Sequence, residues 1–294
     1  MAGRFAPSPT SDLHLGNLRT ALLAWLMARS TKRQFHLRVE DLDQARVAAA
    51  PGVAAAQLAD LVALGITWDG PVLRQSDRFD IYADYAARLD TYECFCTRAE
   101  IAAAAQAPHG NYRPYPGTCA HLTSAQRSAR RAEGRPPAIR VRASSAETTI
   151  WDAHAGWVSG VVDDFVLLRG DGTPAYNLAV VVDDGLTGVD QVVRGADLLS
   201  SAPRQAWLAG QLGLPVPEYA HVGLAVNQQG DRLAKRDGAV TMAQLTAKGT
   251  NVLGVITDSL GWPRVGSAAE LLDAVDQAPL LDHPQVWDPW VVAP

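Results

Sequence analysis

Arg4-Phe5-Ala6-Pro7-Ser8-Pro9-Thr10, followed closely by His14-Leu15-Gly16-Asn17, is the stretch from which the rest of the chain can be read. Residues 4–6 read as a short strand that runs into Pro7-Ser8-Pro9, where proline withdraws the backbone donors a ladder needs. A helix is expected from near Gly16 to about Thr31, with Leu18, Leu22, Trp25, Leu26 and Arg29 recurring at its turns and mostly apolar on one side. A loop entering a helix offers backbone N–H groups and the positive end of the helix dipole, which suits phosphate. Gly16 lets a nucleotide approach the backbone closely. His14 and Asn17 can donate hydrogen bonds to an oxygen that gains charge during phosphoryl chemistry. His-x-Gly-Asn alone is short enough to arise by chance; the preceding string makes it specific.

Outward from this stretch, Gln34 to Val39 reads as a strand ending in Glu40-Asp41-Leu42-Asp43. Pro51 opens a second helix that Gly65 ends, and Phe79 to Tyr92 reads as a third. This alternation argues for an α/β fold with a parallel sheet and right-handed crossovers. The pattern changes after Tyr92: Cys94 to Cys119 is rich in Pro, Gly, Tyr and Cys and reads as irregular. Thr123 and Gln126 resemble a capping box opening a helix that Gly134 ends. Ala138 to Arg142 and Val161 to Leu168 read as strands, and Asp171-Gly172-Thr173-Pro174 as a turn. The apolar run Leu178 to Val182 reads as a buried strand of a resumed parallel sheet. Pro203 opens a helix to about Leu212, and His221 to Val226 is a last strand. Beyond Thr241 the pattern is helical, with capping boxes at Thr241/Gln244 and Ser267/Glu270.

At 294 residues and 48% hydrophobic content, the chain can bury a large core, which argues against disorder. It has no apolar run of membrane-spanning length and no signal-peptide pattern at Met1, so a cytoplasmic protein is expected. The net charge of -5 means that a nucleic-acid partner would need a local basic patch. Arg127, Arg130, Arg131, Arg135, Arg140 and Arg142 supply a candidate, with a phosphate-contacting patch and a solvated face both open. All three cysteines fall between Cys94 and Cys119. Such use of the full set points to a closed thiolate zinc site with one further ligand, holding together a segment poor in apolar residues. Chemistry alone nominates His121 or His109 as that ligand.

Arg4 to Thr10 with Leu13-His14-Leu15-Gly16-Asn17 resembles the signature of class I glutamyl-tRNA synthetases, whose "HIGH" motif the His-x-Gly-Asn element matches. Arg38 to Asp43, Ala175 to Asp184 and Val193 to Asp197 resemble further blocks of that family, in its order. Arg232-Leu233-Ala234-Lys235-Arg236 resembles its "KMSKS" loop. Arg232, Ala234 and Arg236 depart from that pattern, while Lys235 keeps the lysine that would neutralise charge on departing pyrophosphate. The resemblance covers residues 4 to about 240.

The resemblance implies a Rossmann-like parallel sheet built from residues 1–90 and 175–240, an inserted zinc-containing subdomain at 91–174, and a helical subdomain at 241–294. It implies a glutamate pocket of Arg4, Phe5, Ala6, Pro7 and Ser8, with Glu40 facing the ammonium and Tyr176 and Arg194 completing it. Arginine suits a carboxylate through bidentate hydrogen bonds, so Arg194 is assigned the side-chain carboxylate. ATP, with Mg2+, would be held by His14, Gly16, Asn17 and Lys235. Tyr115-Pro-Gly-Thr-Cys119 matches a Tyr-x3-Cys element that supplies zinc ligands in one short branch of the family. This chooses Tyr115 beside Cys94, Cys96 and Cys119 for one structural zinc.

The short stretch after Lys235 leaves no room for an anticodon-binding region of ordinary domain size. With the cysteine pattern, this resembles the branch that activates glutamate without tRNA and esterifies it onto queuosine in the anticodon of tRNA(Asp). A monomer is expected. The competing readings are a shortened enzyme charging tRNA(Glu), and a catalytically silent RNA-binding relative.

Overall fold

The computed structural model describes residues 1–97, 99–101, 115–230, 241–275 and 283–292. Its main sheet has seven strands: β1 (Ala2–Phe5), β2 (Gln34–Val39), β3 (Leu73–Arg74), β6 (Ala146–Asp152), β7 (Gly156–Val162), β9 (Val189–Gly195) and β10 (Glu218–Val222). They lie in the order β3-β2-β1-β9-β10-β6-β7. Every pair is parallel except the hairpin β6–β7 at the edge. Chain order runs outward from β1 to β3 on one side and from β9 to β10 on the other, where the earlier hairpin β6–β7 completes the edge. The switch point is therefore between β1 and β9, and a ligand crevice is expected beyond their carboxyl ends.

The helix Leu15–Ser30 fills the space behind this switch point. It is buried nearly all round, not on one face as the spacing predicts, because it lies between the sheet and the later helices. Leu18, Leu22, Leu23 and Leu26 are fully enclosed. A Cβ added at Gly3 of β1 would sit 2.8 Å from the Cβ of Ala28, so the helix packs directly on strand backbone. Arg19 is also buried, and donates to the carbonyls of Gly223 and Gln285 and to Ser259 Oγ. It ties this helix to the C-terminal segment. Burial lowers its guanidinium to about 10.

Several expectations hold to within a residue or two: Gln34–Val39, the helix Ala202–Gln211, and the helix Ser124–Ala132 with its Thr123/Gln126 capping box. The second helix is Val53–Ala63, and Gly65 follows it at φ 86°, the left-handed conformation that ends a helix. Five others are corrected. The helix from Phe79 stops at Ala86; Tyr92 instead lies on β4 (Thr91–Cys94), which pairs antiparallel with β5 (Ala138–Val141). Leu178 to Val182 is not a strand but the centre of the helix Tyr176–Leu186. A short apolar run cannot separate a buried strand from a helix enclosed on all sides. Val161 to Leu168 divides between β7 and β8 (Val166–Leu168), and β8 joins β4 and β5 in a small three-stranded sheet. The last strand ends at Val222; Ala225–Val226 pairs separately with Trp290–Val291. Residues 146–162, assigned from sequence to the insertion, lie in the main sheet.

Beneath the switch point lies a buried charge cluster. Asp183, fully enclosed on the helix Tyr176–Leu186, accepts hydrogen bonds from Arg78 Nε (2.8 Å), Tyr82 Oη (2.8 Å) and Gln75 Nε2 (3.0 Å). Asp184 accepts from Arg38 Nη1 at 2.6 Å, with Arg4 at 3.4 Å. Arg38 also donates to Glu40 at 3.1 Å. Removing one member strands the others without solvent. Asp183→Ala is expected to lower the unfolding free energy by about 3–5 kcal/mol. Chemical denaturation tests this, and a loss below about 1 kcal/mol would count against a cooperative cluster.

Candidate active site

A cleft of about 400 Å3 opens at the carboxyl ends of β1 and β9. Arg4, Phe5, Ala6, Pro7, Ser8, His14, Gly16, Asn17, Glu40, Tyr176 and Arg194 all line it. Residues far apart in sequence thus share one cavity. Lys235 and its neighbours Arg232, Ala234 and Arg236 lie outside the described residues. Thr241, just beyond them, forms a β-bridge with His14, and Leu224 and Ala225, shortly before them, also line the cleft.

The loop after β1 is fixed from two sides. Gln57 on the helix Val53–Ala63 donates to the carbonyls of Ser8 (3.0 Å) and Ser11 (2.7 Å). Glu40 N donates to the carbonyl of Pro7 at 2.9 Å, which brings the end of β2 against the loop. His14 and Asn17 form a reciprocal cap. Asn17 N donates to His14 Nδ1 (3.3 Å), and His14 N donates to Asn17 Oδ1 (3.2 Å). With Nδ1 accepting, the neutral ring carries its proton on Nε2. The cap therefore selects the donor form of the ring. Gly16 is required by packing before any nucleotide arrives: an added Cβ would lie 2.7 Å from Ala225 Cβ and 3.1 Å from the His14 ring.

The two walls differ electrostatically. On one, Arg4 pairs with Asp184. Burial alone would push Asp184 up, but Arg38 and Arg4 hold it below the ordinary carboxylate value. Glu40 is displaced the other way: burial pushes it up against the pull of Arg38 and Arg4. Such a desolvated carboxylate gains from an additional cation. On the other, Arg194, 5% exposed, donates to His221 Nε2 (3.0 Å), Gln205 Oε1 (2.7 Å) and the Leu198 carbonyl (3.4 Å). Sequence reasoning missed Gln57, Gln205, His221 and Asp152 as supports. A buried polar side chain carries no local signal of its partner, so nothing in their spacing marks them.

Cys94, Cys96 and Cys119 come together, their sulfurs within 4.8 Å of one another. The Tyr115 hydroxyl lies 3.4 Å from Cys94 Sγ and 3.6 Å from Cys96 Sγ. His121 is not in this cluster, and His109 lies outside the described residues. Burial pushes the Cys96 thiol up to about 11. Burial would raise Cys119 too, but hydrogen bonds from the Phe95 backbone and Tyr115 hold it down. Three soft sulfurs and a phenolic oxygen converging in a buried pocket fit a small divalent cation. The arginines nearby are committed locally. Arg140 lies over the Tyr115 ring (3.7 Å), Arg142 and Arg135 donate to the carbonyls of Ala120 and Cys96, and Arg131 pairs with Glu93. These contacts brace the cysteine segment, while Arg130 and Arg131 keep exposed side chains.

The fold and cleft are those of a class I synthetase catalytic domain. The family model for class I tRNA synthetases of the E and Q type, catalytic domain, matches residues 1–270, and the chain belongs to this family of ligases. Within it, the chain is 58% identical to a glutamyl-Q tRNA(Asp) synthetase of Nocardia farcinica, over 97% of this chain and 92% of the relative. It is 45% identical to the protein of the same name from Deinococcus radiodurans, over 95% of this chain and 96% of that one. A glutamate tRNA ligase from Elizabethkingia meningosepticum, solved in complex with its amino acid, superposes with a TM-score of 0.79 at 26% identity. That match covers 99% of this chain and 67% of the ligase. No described helix is long and apolar enough to cross a membrane.

Gly16→Ala is expected to cost about 1–3 kcal/mol of stability through overpacking. Most of this should return in the double variant Gly16→Ala/Ala225→Gly, which removes the methyl at 2.7 Å. Thermal unfolding of the three proteins tests it; an equally destabilised double variant would place the constraint elsewhere.

Proposed function

We propose that this chain activates L-glutamate with ATP in the absence of tRNA, and then transfers the glutamyl group to queuosine in the anticodon of tRNA(Asp). The observation that carries the choice of acid is a pair of unlike groups in one cleft: a buried Arg194 with only neutral partners, and a desolvated Glu40. Glutamate brings two carboxylates and one ammonium, and each needs a partner once water is excluded. Arg194 takes the side-chain carboxylate, Glu40 the ammonium, and Arg4, Ser8 and Tyr176 border the remainder. The first step is attack of the α-carboxylate oxygen on the α-phosphorus of ATP, with release of pyrophosphate. It needs no protein nucleophile, so catalysis is positioning and charge stabilisation by His14, Asn17 and Lys235. Mg2+ arriving with ATP would neutralise phosphate charge. In the second step a hydroxyl of the modified base attacks the mixed anhydride and AMP leaves.

The acceptor is supported by the names and lengths of the relatives, which this chain matches almost end to end. On this reading residues 1–90 and 175–230, with the hairpin 146–162, form the catalytic unit around an inserted subdomain, and the described residues from 241 onward form a mainly helical subdomain. The tRNA substrate puts the reaction in the cytoplasm, and one copy of the cleft brings together the assigned glutamate and nucleotide residues that lie among the described ones, as a monomer requires.

Incubation with ATP, labelled glutamate and queuosine-containing tRNA is expected to leave the label on the anticodon base. Label at the tRNA 3′ end would favour the tRNA(Glu)-charging reading, and absence of glutamyl-adenylate would favour a silent RNA-binding relative. Arg194→Ala is expected to abolish glutamate-dependent pyrophosphate exchange while sparing ATP binding; unchanged exchange refutes the assignment.

We further propose that Cys94, Cys96, Tyr115 and Cys119 hold one structural zinc, which would crosslink a segment with little apolar surface of its own. Protein purified without chelator is expected to contain about one zinc per chain, and less than about 0.2 would count against the site. Cys119→Ser should lose both the metal and thermal stability.

A further inference from the structure

Arg194 is caged by neutral acceptors, and the cage is itself locked. Gln205 Nε2 donates to Asn177 Oδ1 at 3.0 Å, which turns its Oε1 toward Arg194. His221 Nδ1 donates to Asp152 Oδ2 at 2.7 Å, which leaves Nε2 as the acceptor facing Arg194. Asp152 is fully enclosed and also accepts from the backbone N–H groups of His154, Ala155 and His221. Its charge meets Arg194 only across the imidazole ring. Among the described residues no carboxylate forms an ion pair with Arg194, whereas Arg4 and Arg38 each pair with Asp184. A glutamate at position 205 or 221 could reach the same guanidinium and would neutralise it before a ligand arrived.

We infer that Gln205 and His221 are specificity-determining positioning residues: by holding Arg194 through neutral acceptors, they keep its full charge for a ligand carboxylate and against a carboxamide. The inference rests on the reading of Arg194 as the partner of the substrate side chain. A buried guanidinium without an anion gains most from a ligand that brings one. Glutamine, with an amide of similar shape, offers a weaker acceptor and no charge. Asp152 and Asn177 act one step behind, by fixing which atom of the imidazole and which end of the amide face the cleft.

The test is pyrophosphate exchange by the full chain, with KM and kcat measured for glutamate and glutamine, and KM for ATP. Gln205→Glu would put an anion beside Nη1. The glutamate KM is expected to rise about 10- to 100-fold, as for loss of a charge-assisted contact, with kcat and the ATP KM changed by less than about twofold. The preference for glutamate over glutamine should fall by a similar factor. His221→Leu should likewise raise the glutamate KM, and His221→Gln, which restores a neutral acceptor to Arg194, should recover most of the loss. The His221 pair gives the same readout should Gln205→Glu fail to fold. A wild type active on glutamate, with variants whose glutamate KM and glutamine discrimination are unchanged, overturns the inference alone. A kcat loss common to all variants, without a KM change, also overturns it. A wild type with no glutamate-dependent exchange overturns the reading of the site and the inference with it.

Discussion

Asp183 and Asp184 sit side by side inside the protein, and the architecture of the cleft depends on what surrounds them. Arg78, Tyr82 and Gln75 close around the first, and Arg38 and Arg4 around the second. Buried carboxylates are tolerated only when paired and hydrogen-bonded, and here the partners come from β1, β2, the helix Phe79–Ala86 and the segment before it. The cluster therefore joins the strands on one side of the switch point to a helix that enters the fold much later in the chain. Arg4 and Glu40 reach the cleft as its outermost members. Their electrostatic character is set by the same cluster: Asp184 is held ionised by two guanidiniums, while Glu40 is displaced upward by burial.

Beside this compensated wall stands one built on another principle. Arg194 is supported by an amide, an imidazole and a carbonyl, none of which cancels its charge. One wall therefore comes with its charges balanced and the other with a cation in reserve. An amino acid with a second carboxylate completes the arrangement, and one with a neutral side chain does not. The C-terminal segment braces one edge of this space: Trp290 N donates to the Leu224 carbonyl and Gly223 N to that of Val286. These contacts fix the strip on which Leu224 and Ala225 line the cleft, and Arg19 anchors the same segment to the helix behind the sheet.

The cysteine segment solves a different problem. It has a small apolar cluster of its own, with Tyr92, Phe95 and Tyr115 packed beside the thiols. Three of the arginines that look in sequence like a nucleic-acid stripe, Arg135, Arg140 and Arg142, contact its carbonyls and a ring. Guanidinium groups suit this use, since one planar fork can bond a carbonyl and cover an aromatic face together.

Much of this protein is decided locally. The strand-to-helix entry at Arg4 to Asn17, the strand Gln34–Val39 and the Thr123 and Thr241 capping boxes follow from residue types a few positions apart, because caps, turns and prolines act within one turn of chain. The convergence of the cysteines was legible for the same reason, since they crowd into one segment. What was not legible depended on distant partners. Whether Leu178 to Val182 is strand or helix is decided by its being enclosed on every side and by where Asp183 finds its arginines. Tyr92 belongs to a strand because residues 138–141 pair with it. That Gln205, His221 and Asp152 should hold Arg194 could not be read at all. A buried hydrogen bond between residues tens of positions apart leaves no periodicity in the sequence, and only the folded sheet brings the donor and acceptor within reach.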